Sequence, residues 1–377
     1  MRKLFYEDSH LRSFSATVTG CTPTDKGYYV TLDSTAFYPE GGGQACDLGT
    51  LGDANVLDVQ EKGEEILHLC DRALPVGTTV TGEIQWERRF DLMQQHTGEH
   101  ILSGLIHSRY GYQNSGFHVG AQVMEVDFDG PISPEALQEL EWEANRAIWG
   151  NRPVRCSVPA PEELSAISYR TKRELPWPVR IVEVEGYDSC ACCGVHVKHT
   201  GEIGIIKLIS CVKFHQGVRI EMVCGQRAYL YMQRIFVENR KISRLLSAKM
   251  PETAVAVEKL AEAYNSEKYR AVALQNRIFC QIAKSYAGAD CPLHFEEGLN
   301  GGALRELAEQ IARVCGGAVV CSGTETDGYS VCIIGPNARE LGTQAAKALN
   351  GRGGGKDCAF QGRFLASREQ IEAYFAK

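Results

Sequence analysis

The chain has 377 residues, 44% of them hydrophobic and 23% charged, a globular composition long enough for two or three domains with cores of their own. Its net charge of −7 excludes attraction to phosphate by the chain as a whole, so any nucleic-acid contact must use local basic patches. The N-terminus, Met1-Arg-Lys-Leu-Phe-Tyr-Glu-Asp, carries charge where a leader peptide needs an apolar core, and no run of apolar residues approaches a membrane span; a cytoplasmic protein with no membrane contact is expected.

In chain order, residues 13–82 alternate apolar and polar positions between Gly, Pro and Asp turns, the pattern of several short strands closing into a small β-barrel. From Trp86 the period becomes helical, with Leu92, Met93, His96, His100, Ile101, Leu105 and Ile106 on a helix that ends near Gly111. Ser133-Pro134 caps a second amphipathic helix reaching Trp149. Strand-like runs at 121–128 and 179–184 make this middle an α+β core. From Gln226 the chain is helical again, broken at Met250-Pro251 into two helices expected to fold back as a hairpin. The second of these carries a near-heptad stripe of Val257, Leu260, Tyr264, Ala271, Leu274 and Ile278, interrupted by Glu267, which reads as a hairpin or dimer contact. The last segment reads as α/β: helix 303–314, strands 318–321 and 329–334, helix 338–349, a glycine-rich loop 351–355 and a terminal helix opened by Ser367. The expected class is α+β, divided as a barrel (1–85), an α+β core (86–225), a helical arm (226–290) and a C-terminal α/β domain (291–377).

Fifteen cysteines spread over a large chain without an export signal read as reduced thiols, and a tight group among them as metal-binding. The tight group is Cys190-Ala-Cys192-Cys193. His96 and His100, four apart on one helix face, project their rings one turn from each other. The distant Cys192-Cys193-Gly194-Val195-His196 adds a thiolate and an imidazole separated by a glycine that lets the chain turn. Three histidines and a cysteine suit one tetrahedral zinc ion per chain. The string His96-Thr-Gly-Glu99-His100 also fits the pattern of inverted zinc peptidases, with Glu99 activating water. A shell of four protein donors leaves such an enzyme no open position, and Glu99 then reads as a solvated helix residue.

Three motifs stand in order along residues 1–225: Thr35-Ala-Phe37-Tyr38-Pro39-Glu40-Gly-Gly-Gly-Gln44-Ala-Cys-Asp47; Gln95-His96-Thr-Gly-Glu-His100; and Cys192-Cys-Gly-Val-His196-Val-Lys-His-Thr200-Gly201. With them the sequence resembles the editing domain of alanyl-tRNA synthetases and, more closely, the long form of the free-standing AlaX trans-editing proteins. The arm and the last segment, with Gly353-Gly354-Gly355-Lys356-Asp-Cys-Ala-Phe-Gln361-Gly362, resemble the C-terminal, DHH-associated domain of the same proteins, which is linked there to tRNA binding and dimer formation. No counterpart of an ATP-dependent activation domain is recognisable, and the glycine run is no Walker motif because Asp357 follows Lys356.

The resemblance implies hydrolysis of the ester in tRNA(Ala) mischarged with serine or glycine, a zinc ion on His96, His100, Cys192 and His196, and a homodimer through the arm and the C-terminal domain. Thr35 and Gln44 become candidate catalytic-pocket residues, since a pocket that hydrogen-bonds the serine hydroxyl rejects alanine. Gly353, Gly354, Gly355, Lys356 and Arg363 become candidate tRNA contacts, with Arg234, Arg240, Lys241, Arg244 and Lys249 along the arm as further basic residues. Cys193 and Val195 depart from the family's Cys-Gly-Gly-Thr-His, which leaves Cys190 or Cys193 as competing thiols. The competing readings are a zinc peptidase and a non-catalytic tRNA- or protein-binding module with structural zinc.

Overall fold

The computed structural model describes residues 1–171 and 176–376. It is a mixed α+β protein whose chain divides into two compact units, 1–241 and 242–377.

In the first unit, alternating burial along β1 (Ser13–Thr24), with Phe14, Ala16 and Val18 inward, turns one face of the strand to a core. It is joined by β2 (Gly27–Leu32), β3 (Gly49–Leu51), β4 (Ala54–Lys62), β5 (Glu65–Cys70) and β6 (Thr79–Ile84). The six pair antiparallel in the order β1-β2-β5-β4-β3-β6, and β6 returns to β1, closing a barrel. Closure removes the open sheet edges.

Helix α1 (Trp86–Tyr110) follows, stopped by Gly111 in the left-handed conformation at φ 74°. Then come β7 (Asn114–Val119), β8 (Met124–Phe128) and α2 (Pro134–Trp149), the last capped by Ser133 Oγ accepting from Ala136 N at 3.2 Å. A three-stranded antiparallel sheet holds β9 (Val154–Ser157), β10 (Ile181–Val184) and β11 (Asp188–Ala191) in chain order. Finally β12 (Ile206–Phe214) and β13 (Gly217–Cys224) join β8 and β7 in a sheet of order β12-β13-β8-β7. Helix α3 (Gly225–Leu245) leads out of the unit, and the break at Met250-Pro251 precedes α4 (Thr253–Ser285).

The second unit is built on β14 (Leu293–Phe295), β15 (Ala318–Thr324), β16 (Gly328–Ile334), β17 (Arg352–Lys356) and β18 (Ala359–Phe364), ordered β14-β15-β16-β18-β17. Val319, Cys321, Val331 and Ile333 face α6 (Ala338–Ala348) and α7 (Arg368–Phe375). Ala318, Val320 and Cys332 face α5 (Gly301–Cys315) and the end of α4. The glycine run expected as a loop is the edge strand β17, paired with β18 from Arg352↔Arg363 to Lys356↔Ala359. A Cβ at Gly353 would lie 2.5 Å from the Phe360 ring, so the glycines let this strand lie flat on its neighbour. The heptad stripe of α4 is open to solvent, with Leu260 57% and Tyr264 68% exposed. No helix among the described residues is long and apolar enough to cross a membrane.

Candidate metal centre

Helix α1 is the mount. Arg89, fully buried, donates from Nε to Asp47 Oδ1 at 2.7 Å and from Nη2 to Asp47 Oδ2 and the Ala36 carbonyl. Asp47 Oδ2 also accepts the Tyr38 N–H. This ion pair pins the whole loop 36–47, with Gln44 on it, to the first turn of the helix. Deeper along the helix, Gln94 reaches the Glu202 carbonyl at 2.8 Å, and Gln95 exchanges two bonds with the backbone of Cys224 at 3.0 and 2.8 Å. On another side α1 meets the turn before β11. A Cβ at Gly104 would lie 2.3 Å from the Tyr187 carbonyl and 2.7 Å from Asp188 Cβ, so only glycine lets that turn close over the helix.

These anchors bring His96, His100, Cys192 and His196 together. One ligand atom from each lies within 4.8 Å of all the others. Cys192 Sγ stands 3.4 Å from His96 Nε2 and 3.5 Å from His196 Nε2, and the three imidazole centroids are 4.5 to 5.3 Å apart. The loop of Cys192 is clamped from outside: Arg180 Nη1 donates to the carbonyls of Cys192 and Gly194 at 2.8 Å each, and Tyr6 donates to the Cys193 carbonyl at 2.9 Å.

Every ring is fixed through its other nitrogen. His96 Nδ1 lies 2.8 Å from Gln44 Oε1, which also accepts the Val195 N–H and is therefore the oxygen of the amide. His100 Nδ1 lies 2.9 Å from Asp188 Oδ2, a carboxylate gripped by Arg170 at 2.7 and 2.8 Å. His196 Nδ1 lies 3.1 Å from Thr97 Oγ1. That hydroxyl gives its own proton to the Met93 carbonyl and so has only a lone pair to offer the ring. All three Nδ1 atoms are thus donors, which leaves each Nε2 for a metal, the ring orientation a metal ligand requires.

The donor set fits a borderline-soft divalent ion of zinc's kind. Burial raises the Cys192 pKa, but the neighbouring imidazoles, His96 foremost, hold it well below the ordinary thiol value. Burial and the proximity of His96 push His196 down to about 3, keeping that ring neutral. Cys193, the replaced glycine, stays outside the group; its thiol is exposed, 4.0 Å from the Tyr38 hydroxyl. Cys190 belongs to an adjoining group with His100 and Asp188, but there Asp188 is already engaged by Arg170 and His100. Val195 is buried.

The centre forms part of the wall of a cavity of about 1110 Å³, lined also by Glu99, Asn114, Phe117, Arg170 and Arg180. Two expectations need correction here. Thr35 is not on this wall: it is fully buried, its hydroxyl 2.9 Å from His68 Nε2 and accepting the Phe37 N–H. Its hydrogen bonds are committed, because His68 gives its Nδ1 proton to the Val30 carbonyl and needs the Thr35 proton at Nε2. Glu99 is not a solvated helix residue, being 4% exposed and on the cavity wall. Gln44 touches the centre through His96, and its Nε2 has no hydrogen-bond partner among the described residues. Asp188 and Arg170 carry no motif of their own, and Thr97, inside the His96–His100 string, is not singled out there; a carboxylate or hydroxyl near ligand histidines was the only available signal.

The candidate tRNA contacts Gly353, Gly354, Gly355 and Lys356 are all exposed on β17. Arg363, opposite Arg352, donates from Nη2 to the Asp327 carbonyl.

Residues 179–221 match the family described as the threonyl and alanyl tRNA synthetase second additional domain, and residues 10–88 match class II (A) tRNA synthetases. The alanyl-tRNA editing protein Aarsd1 of Danio rerio is 27% identical over 97% of this chain and 95% of its own, and that of Mus musculus 28% identical over 99% and 96%. The alanine–tRNA ligase of Thermofilum pendens is 32% identical over 96% of this chain, which spans 42% of that ligase. Among solved structures, the C-Ala domain from Aquifex aeolicus alanyl-tRNA synthetase matches 23% of this chain and 86% of its own at 23% identity, with a TM-score of 0.21, too low to establish a shared fold. The chain is thus similar nearly end to end to free-standing alanyl-tRNA editing proteins and, at residues 10–88 and 179–221, to tRNA synthetase families, which supports an AlaX-type alanyl-tRNA editing protein.

Proposed function

We propose that the protein is a trans-acting deacylase that hydrolyses the ester of tRNA(Ala) charged with serine or glycine. The observation that carries this reading is the convergence of three oriented imidazoles and a thiolate on the wall of a cavity large enough for an aminoacyl-adenosine end. A zinc ion there would supply positive charge that orients the substrate, since four protein donors leave no position for the ester carbonyl itself. His96, His100, Cys192 and His196 hold it; Gln44, Asp188 and Thr97 position the three rings. Arg180, stacked over Tyr6 at 4.6 Å, keeps the Cys192 loop in place.

The chemistry is assigned to residues 86–225, with the barrel segment 1–85 contributing the Gln44 loop. Contact with the tRNA body is assigned to 226–290 and 291–377, where the exposed edge backbone of Gly353, Gly354 and Gly355 beside Lys356 and Arg363 offers hydrogen bonds and charge to phosphates. The exposed stripe of α4 supports a homodimer. Against a peptidase stands the donor count, since four protein donors leave no open position on the ion.

The test is deacylation of Ser-tRNA(Ala), Gly-tRNA(Ala), Ala-tRNA(Ala) and a peptide by wild type and Cys192→Ala, with metal analysis of both. Wild type is expected to cleave the seryl or glycyl ester in preference to alanyl, and the variant to lose metal and activity together. Cleavage of the peptide alone, or no cleavage by metal-loaded protein, defeats the reading in favour of a peptidase or a binding module.

A further inference from the structure

One charged group on the cavity wall has no part in the reading above. Glu99 Oε1 accepts from the Ser103 hydroxyl and from Asn114 Nδ2, the latter at 2.6 Å, and that same Asn114 nitrogen stands 3.2 Å from Ser103 Oγ. The carboxylate is therefore held rigidly by one oxygen. The other, Oε2, is in no hydrogen bond among the described residues and stands 4.0 Å from His100 Nε2. It does not join the four converging donors, and the nearby guanidinium of Arg170 is taken by Asp188. Asn114 Oδ1, buried on the same wall, also lacks a hydrogen-bond partner among the described residues.

A buried carboxylate is stable when a cation pairs with it and donates hydrogen bonds to it. An aminoacyl ester brings such a group. Its α-ammonium has three N–H donors and lies two bonds from the carbonyl carbon, so anchoring it beside His100 also places the scissile bond on the same side of the cavity. We propose that Glu99 seats the α-ammonium of the aminoacyl ester, which makes the substrate class of this site esters with a free, charged amine. The proposal rests on the deacylase reading and adds a selectivity that reading does not contain: acyl groups without the charge are poor substrates.

The experiment uses the full-length, metal-loaded protein and one tRNA(Ala) preparation carrying either serine or glycerate, in which a hydroxyl of similar size replaces the ammonium. Rates are corrected for the spontaneous hydrolysis of each ester. Wild type favours the seryl ester. Glu99→Gln keeps an acceptor for Ser103 and Asn114 but removes the charge. Its kcat/KM for seryl-tRNA falls roughly ten- to a hundredfold, while that for glyceryl-tRNA stays within about threefold and metal content is unchanged. An equal fall on both substrates overturns the proposal and makes Glu99 a general or structural group. Equal wild-type rates on the two esters overturn it as well, and this comparison decides where the variant does not fold. Wild type that cleaves neither ester overturns the deacylase reading itself.

Discussion

At the scale of single residues, the centre depends on acceptors that are not themselves ligands. Asp188 holds His100 from a position 88 residues away in the chain, and its own pKa, raised by burial, is brought below the usual carboxylate value by His100 and Arg170. Asp188→Asn leaves an oxygen for the ring but sets an amide against Arg170. Metal affinity is expected to fall about 10- to 100-fold, read by competition with a chromophoric chelator; unchanged affinity would remove Asp188 from the site's support. His68 carries a second expectation. Burial pushes its pKa from 6.5 down to about 4, against a smaller opposing pull from the Val30 carbonyl. The unfolded chain takes up this proton below about pH 6.5, whereas the fold resists it until about 4. The stability that neutral His68 contributes is full above 6.5 and is lost as pH falls through that window, by about 3 kcal/mol in all. In urea denaturation from pH 7 to 4, His68→Gln is expected to flatten the decline; parallel curves for variant and wild type count against it.

Among elements, α1 and the loop 36–47 act as one piece because the Arg89–Asp47 pair is buried at both ends, at 0% and 1% exposure. Removing one partner strands the other charge away from water. Asp47→Asn is expected to cost about 3–5 kcal/mol and, by freeing Gln44, to weaken metal binding with it. Calorimetry and metal titration on the same sample check both; a destabilised protein with full metal affinity breaks the link between loop and ring. The ligand set was legible in the sequence because histidines four apart on a helix must share a face, and a glycine between a cysteine and a histidine permits a tight turn. What holds those ligands was not, since Asp188 gains its meaning only when the turn at Gly104 closes on the helix, and Thr97 only when the segment 192–197 packs against it. Thr35 was placed in the pocket through the resemblance and its hydroxyl, and nothing in the local sequence shows that this hydroxyl is committed to the distant His68. The run Gly353-Gly-Gly355 was taken for a loop because glycine favours loops in the absence of partners. The partner is Phe360, whose ring occupies the space a side chain would fill. For Glu99, the argument that a complete shell needs no carboxylate was extended to solvation, which does not follow.

Across the whole molecule, the centre draws on the barrel loop, α1 and the three-stranded sheet, all within residues 1–241. In the other unit, Leu260, Tyr264, Leu274 and Ile278 of α4 leave apolar surface at the 3.5-residue spacing that pairs helices. A Leu260→Lys, Ile278→Lys double variant is expected to shift sedimentation toward the monomer with deacylation of a minimal acceptor-stem substrate retained; a wild type already monomeric at micromolar concentration ends the dimer proposal. The three locked rings have a consequence for how the metal arrives. Because no imidazole has to flip, loading is expected to follow the collision rate with no saturation at high metal concentration in stopped flow. Asp188 and Cys192 together hold His100 well above the usual imidazole pKa despite burial, while Cys192 is held low, so the empty centre keeps a proton on the imidazole beside a thiolate. The incoming ion must expel that proton, and titration calorimetry in buffers of different ionisation heat is expected to count its release.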